Sequence, residues 1–126
     1  MIANKLMIGD WVRYVDTKVP FQIEDVSRSA MFMRWSPDGH TAIPHSWSEI
    51  EPVPLTPEIL EKNGERDNNA IYSFGDGHEW IELTVYKDGS IWWTINLGEY
   101  QITRLQYVHE LQHTLQLCGI VKEIEL

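Results

Sequence analysis

The sequence predicts an α+β protein: a small β-barrel lobe at the N-terminus, a short linking helix, and a β-hairpin or three-stranded sheet packed by a C-terminal helix. Three observations carry that expectation. Short apolar/polar alternations with β-forming residues crowd the first fifty positions. A turn triplet, Lys87-Asp88-Gly89, sits between two alternating segments. A single stripe of helical period runs through Tyr107, Val108, Leu111, Leu115 and Cys118.

Gly9-Asp10-Trp11-Val12-Arg13-Tyr14-Val15 alternates two faces and reads as the first strand. Val19 to Val26 and Ala30 to Trp35 repeat the pattern, and Pro37-Asp38-Gly39 is turn chemistry before Thr41-Ala42-Ile43. Ser48 to Val53 reads as an edge strand, because Pro52 lacks a ladder donor. Four or five short strands within residues 1–54 predict an SH3-like or KOW-like barrel. In such a lobe Trp11, Trp35 and Trp47 are candidates for a peptide or nucleic-acid groove, since aromatic rails serve both. The competing expectation is that they form the core, because large side chains give a small lobe its buried area.

Residues 55–64 read as the linking helix. Thr56 caps it, Pro57 occupies the first helical position, Leu55 and Leu60 fall at staple positions, and Asn63-Gly64 is a left-handed stop. The polar run 65–69 reads as a connector between lobes. In the lobe 70–126, Trp80 to Tyr86 and Ile91 to Leu97 form the hairpin. A three-residue loop with Gly89 left-handed pairs Val85 with Ile91 and Leu83 with Trp93, which puts one apolar face together. The opposite, more polar face then carries Trp80 and Trp92, candidates for a partner or homodimer contact. Gly75-Asp76-Gly77-His78 lacks the lysine of a phosphate loop and reads as a strand connector.

The last helix is expected at about 104–117. Thr103 and Gln106 match a capping box, Ile102 and Tyr107 a staple, and Gly119 with Ile120 a Schellman closure. Its solvent side carries His109-Glu110-Leu111-Gln112-His113, a literal H-E-x-x-H. In zincins the two histidines hold zinc and the glutamate activates water. A third ligand is the harder requirement: only Glu123 and Glu125 follow as candidates, while His40 and His45 bracket an expected reversal and could join a metal site. Zinc-dependent hydrolysis through His109, His113 and Glu110 is therefore the alternative, and a chain with no catalytic residues, metal or cofactor is the first expectation.

The 126 residues carry nineteen acidic and ten basic side chains, a net charge of −9. That disfavours wrapping duplex nucleic acid or lying on anionic lipid. Residues 1–54 hold seven acids and five bases, leaving twelve and five for the rest, so nucleic-acid binding by the near-neutral barrel is a further alternative. No run has the apolar length of a membrane span. One cysteine, Cys118, excludes an intramolecular disulfide framework and suits the cytoplasm.

Three stretches, LMIGDWV, IEPVPLTPEILEKNG and LQYVHELQHTLQLCGI, together resemble a family of small uncharacterised proteins of gut anaerobic bacteria, their phages and mobile elements. They cover about a third of the chain. The resemblance implies no activity and lends no catalytic residues. The family pattern at this helix has neither Glu110 nor His113, which implies that H-E-x-x-H is a variant of a structural motif. The functional expectation is a non-enzymatic binding or accessory module acting through protein contacts.

Overall fold

A computed structural model describes residues 6–27, 31–35, 42–68, 70–75 and 78–126, excluding the side chains of 25–27, 31–35, 42–45 and 68. The chain is α+β and divides into two units, Met1–Val53 and Pro54–Leu126.

In the first unit, strands β1 (Trp11–Tyr14), β2 (Pro20–Gln22), β3 (Asp25–Ser27), β4 (Met31–Trp35), β5 (Ala42–Ser46) and β6 (Ile50–Pro52) form two antiparallel three-stranded ladders. Their orders are β2-β1-β6 and β3-β4-β5. The segment expected as one strand over 19–26 is two, β2 and β3, parted at Ile23-Glu24. Among the described pairings no ladder closes the two sheets into a barrel. Pro52 lies on an edge strand, where its missing donor costs no ladder bond. The turn expected at Pro37-Asp38-Gly39 lies outside the described residues. Leu6, Val12, Phe21, Ile23 and Ile50 make the core, with Tyr14 and Trp47 packed against it.

The second unit begins with helix α1 (Pro57–Asn63). Thr56 Oγ1 accepts from the Ile59 N–H at 3.4 Å, Pro57 opens the helix, and Leu55 and Leu60 are both buried. Gly64 is not left-handed, as the sequence suggests; its φ is −108°. Glycine is required there for a different reason: a Cβ would lie 2.7 Å from the buried Phe74 ring.

The expected hairpin is part of a five-stranded antiparallel sheet, ordered β11-β10-β9-β8-β7. Its strands are β7 (Glu65–Asn68), β8 (Ile71–Gly75), β9 (Trp80–Val85), β10 (Ile91–Ile95) and β11 (Tyr100–Leu105). The register Ile91↔Val85 and Trp93↔Leu83 is the one the three-residue loop predicts, and Gly89 has φ +85°. The polar run 65–69 does not act as a lobe connector, since its residues 65–68 form β7. Glu65, Arg66 and Asp67 are exposed there, and charge on an edge strand discourages further pairing.

Helix α2 (Val108–Leu117) starts four residues later than expected, because Tyr100–Leu105 is the sheet's other edge. The box anticipated at Thr103 and Gln106 does not form; Glu110 Oε1 instead accepts from the Gln106 and Tyr107 N–H groups, each at 2.9 Å. The far end closes as the sequence predicts. Gly119 is left-handed at φ +73°, and the Ile120 N–H donates to the Leu115 carbonyl at 2.9 Å. Among the described residues no helix is long and apolar enough to cross a membrane.

Candidate functional site

In the first unit the chain reverses between β1 and β2 through Val15–Lys18. Lys18 takes a left-handed φ of +59°, its N–H bonded to the Tyr14 carbonyl at 2.9 Å, and the Tyr14 N–H returns to the Val19 carbonyl at 3.1 Å. Asp16 Oδ1 accepts from the Thr17 N–H at 2.8 Å. Opposite stands the 3-10 turn Trp47–Glu49, where Ser46 Oγ accepts from the Ser48 N–H and Glu49 Oε1 accepts from the Ser46 N–H at 3.2 Å. The Val15 N–H donates to the Glu49 carbonyl at 3.0 Å and ties the two walls together.

Between these walls lies an open cleft of about 610 Å³, lined by Tyr14, Val15, Asp16, Thr17, Val19, Ser48 and Glu49. That volume lies inside the range of small-ligand sites, about 300–1,000 Å³. Val15 and Val19 are 43% and 49% exposed, while the Tyr14 ring packs on Phe21 at 4.7 Å and fixes the floor. The neighbouring cations are engaged elsewhere. Arg13 Nε and Lys18 Nζ both bind Glu51 Oε1, at 2.7 and 2.6 Å. The hydrogen bonds from Lys18 and then Arg13 hold the Glu51 carboxyl below its ordinary value. Asp16 and Glu49 are the acidic residues that line this cleft.

Of the N-terminal tryptophans singled out from the sequence, Trp11 and Trp47 do not line that cleft. Trp47 packs on the core beneath it, Trp11 is half-buried on β1, and the Trp35 side chain lies outside the described residues. Sequence reasoning missed Val15, Val19, Asp16 and Glu49. The available signal was an apolar pair bracketing Asp16-Thr17-Lys18, a turn too polar to bury and too short to hide its flanks.

In the second unit Trp80 is 64% exposed, and two further clefts meet at it. Trp92 is half-buried and tied to the hairpin turn, its indole N–H donating to Ser90 Oγ at 3.1 Å. Ser90 in turn donates to Asp88 Oδ1 from both side chain and backbone, which lowers the Asp88 pKa. Trp80 and Trp92 do share a face, but Trp92 pairs with Thr84, four residues along β9. At the strand rise that is about 13 Å. Between them Glu82, Thr84 and Thr94 are buried, so the two rings form no continuous patch.

Helix α2 corrects the expectation that both its histidines face solvent. His109 is 9% exposed, because the buried sector of the helix spans Val108, His109, Leu111, Thr114 and Leu115, wider than its apolar letters mark. The His109 ring stacks on Tyr107 at 5.9 Å and meets His113 edge-on at 5.6 Å. Glu110, the residue a zincin would use as base, is turned to the helix N-terminus, where it caps two backbone N–H groups. Among the described residues no three His, Cys, Asp or Glu side chains gather as a metal-binding group. Expected outcomes follow from the cap. Glu110→Ala destabilises the protein by about 1–2 kcal/mol, Glu110→Gln by less, as read by chemical unfolding.

No family model, curated protein or solved structure matches this chain.

Proposed function

We propose that this protein is a non-enzymatic binding module that takes a protein partner in the cleft of its N-terminal unit. The observation that carries this reading is the arrangement of exposed Val15 and Val19 beside Asp16 and Glu49, on walls already hydrogen-bonded to each other. A preformed apolar recess with a few fixed polar groups binds at low ordering cost. The small-barrel reading of residues 1–54 draws on the six short antiparallel strands and on the 3-10 turn between β5 and β6. The resemblance to a family of small uncharacterised proteins of gut anaerobic bacteria, their phages and mobile elements fits an accessory role, and the single cysteine fits a cytoplasmic one.

The test is selection of a displayed random-peptide library on the intact chain. Binders are counter-screened on Val15→Gln/Val19→Gln, in which two exposed, uncharged substitutions remove the apolar wall and should leave the fold unchanged by circular dichroism. The expected result is enriched peptides that bind this variant at least about tenfold more weakly, since each buried valine contributes about 1.5 kcal/mol or more. A library that enriches nothing, or binders indifferent to the variant, overturns the proposal.

A further inference from the structure

We propose that the β11 edge of the five-stranded sheet pairs antiparallel with the β11 edge of a second copy of this chain, joining the two sheets into one. The inference goes beyond the binding-module reading and does not depend on the cleft, since every residue it uses lies in the second unit.

The two rims of this sheet differ in kind. β7 carries exposed Glu65, Arg66 and Asp67, which guard it, whereas β11 reads Tyr100-Gln101-Ile102-Thr103-Arg104-Leu105 and is exposed through Arg104. Tyrosine, isoleucine and threonine are strand formers, and Tyr100 and Ile102 are exposed large apolar side chains. Among the described residues β11 has no partner strand on its outer side; another segment is met just beyond its end, where the Leu55 N–H donates to the Gln106 carbonyl at 2.9 Å. A rim with so little charge is a template for a further strand.

Charge selects a second copy as that strand. Glu99 stands just before β11 and Arg104 near its end; both are exposed, and neither is in an ion pair among the described residues. The charge of Arg104 reaches Asp88, whose carboxylate is bonded to Ser90. Antiparallel self-pairing sets the acidic end of each copy beside the basic end of the other, twice over by symmetry. A parallel pair would set like charges together.

The bulge in β11 fixes the register. Trp93↔Thr103 steps to Thr94↔Gln101 and Ile95↔Tyr100, so Tyr100 and Thr103 share a face although they are three residues apart. A strand of regular alternation would have to bulge again to follow this rim, as β10 does on the inner side. A second copy carries the same extra residue. With Tyr100 opposite the partner's Thr103, matching faces meet and Glu99 falls opposite the partner's Arg104. The open rim is then used up, and both ends of the joined sheet are charged β7 strands, so assembly closes at two copies.

The experiment is sedimentation velocity of the full chain from about 1 μM to 1 mM, a range suited to a contact as small as one strand pair. The expected result is a monomer–dimer equilibrium, with amide protection at Tyr100–Arg104 that rises with concentration. Arg104→Glu or Glu99→Lys alone weakens the dimer about tenfold, since each places two like-charged contacts in it. Mixing the two single variants recovers a heterodimer, and Glu99→Lys/Arg104→Glu in one chain restores the homodimer, recoveries that a purely structural role of either residue would not produce. Both positions are exposed, so circular dichroism should stay unchanged.

A chain that sediments as a monomer throughout, or a dimer indifferent to the charge reversals, overturns the proposal. A dimer lost in Val15→Gln/Val19→Gln and kept in the reversals assigns self-association to the cleft and overturns it as well. A monomer whose rim takes displayed peptides, and loses them in Ile102→Lys, assigns the edge to a foreign strand in place of a second copy.

Discussion

Asn63→Ala is expected to cost about 2–3 kcal/mol, read as a lowered denaturation midpoint. Asn63 is buried at the last turn of α1, and its side-chain amide makes three hydrogen bonds. Nδ2 donates to the Ile59 carbonyl at 2.8 Å and to the Glu125 carbonyl at 2.7 Å, while Oδ1 accepts from the Glu125 N–H at 2.7 Å. The amide thus pairs with the backbone of Glu125 as a neighbouring strand would, and holds the segment after α2 so that Ile120 and Ile124 stay buried. Alanine's better helix propensity returns only a few tenths of a kcal/mol, whereas each lost bond is worth about 0.5–1.5 kcal/mol and leaves partners to be rehydrated. Amide exchange supplies a second readout, because protection at Glu125 should vanish while the core of the sheet keeps its own. Asn63→Asp retains the acceptor, loses both donors and should fall between. Undiminished stability in Asn63→Ala would show that the tail is held by its isoleucines alone.

This latch marks where the sequence stops being legible. The helix Pro57–Asn63, the Gly89 loop with its register and the Gly119 closure were all readable, since each is decided by residues within one turn or one hairpin. Tyr100–Leu105 was not. Thr103, Gln106, Ile102 and Tyr107 satisfy every local rule for starting a helix, and the ladder Ile91↔Leu105, Trp92↔Arg104, Trp93↔Thr103 overrides them. β7 was hidden for the same reason, as its charged letters read as a connector until β8 supplies a partner.

The candidate site divides along that line too. Residues chosen by chemical type, the tryptophans and the H-E-x-x-H pair, turn out to serve packing, turn and cap as much as surface: Trp47 on the core, Trp92 on Ser90, Glu110 on the helix end. The cleft is built from ordinary valines and carboxylates whose meaning depends on the 3-10 turn, thirty residues further on, coming to face them. No local pattern encodes that meeting, because it follows from β6 pairing with β1.

At Glu82 and Thr84 the face of β9 that the sequence marks as polar is in fact buried, and this gives a prediction with a sharp internal control. Residues 96–98 take successive left-handed conformations, at φ +56°, +59° and +86°, and turn the β10–β11 loop over that face. The Leu97 N–H donates to Glu82 Oε1 at 3.1 Å, the Gly98 carbonyl accepts from the Tyr86 hydroxyl at 3.1 Å, and a Cβ on Gly98 would lie 3.1 Å from Thr84 Oγ1. Beneath the loop, Thr84 and Thr94 share a buried hydroxyl–hydroxyl bond of 2.7 Å. Thr94→Val preserves shape and deprives Thr84 of that partner, so it should cost about 1–3 kcal/mol, and Thr84→Val the same. The double Thr84→Val/Thr94→Val leaves neither hydroxyl buried, keeps β-branched side chains on both strands, and should cost far less than the two singles added together. Chemical unfolding of the four proteins gives the coupling directly. Additive losses would mean that water reaches the pair and that the loop does not seal this face.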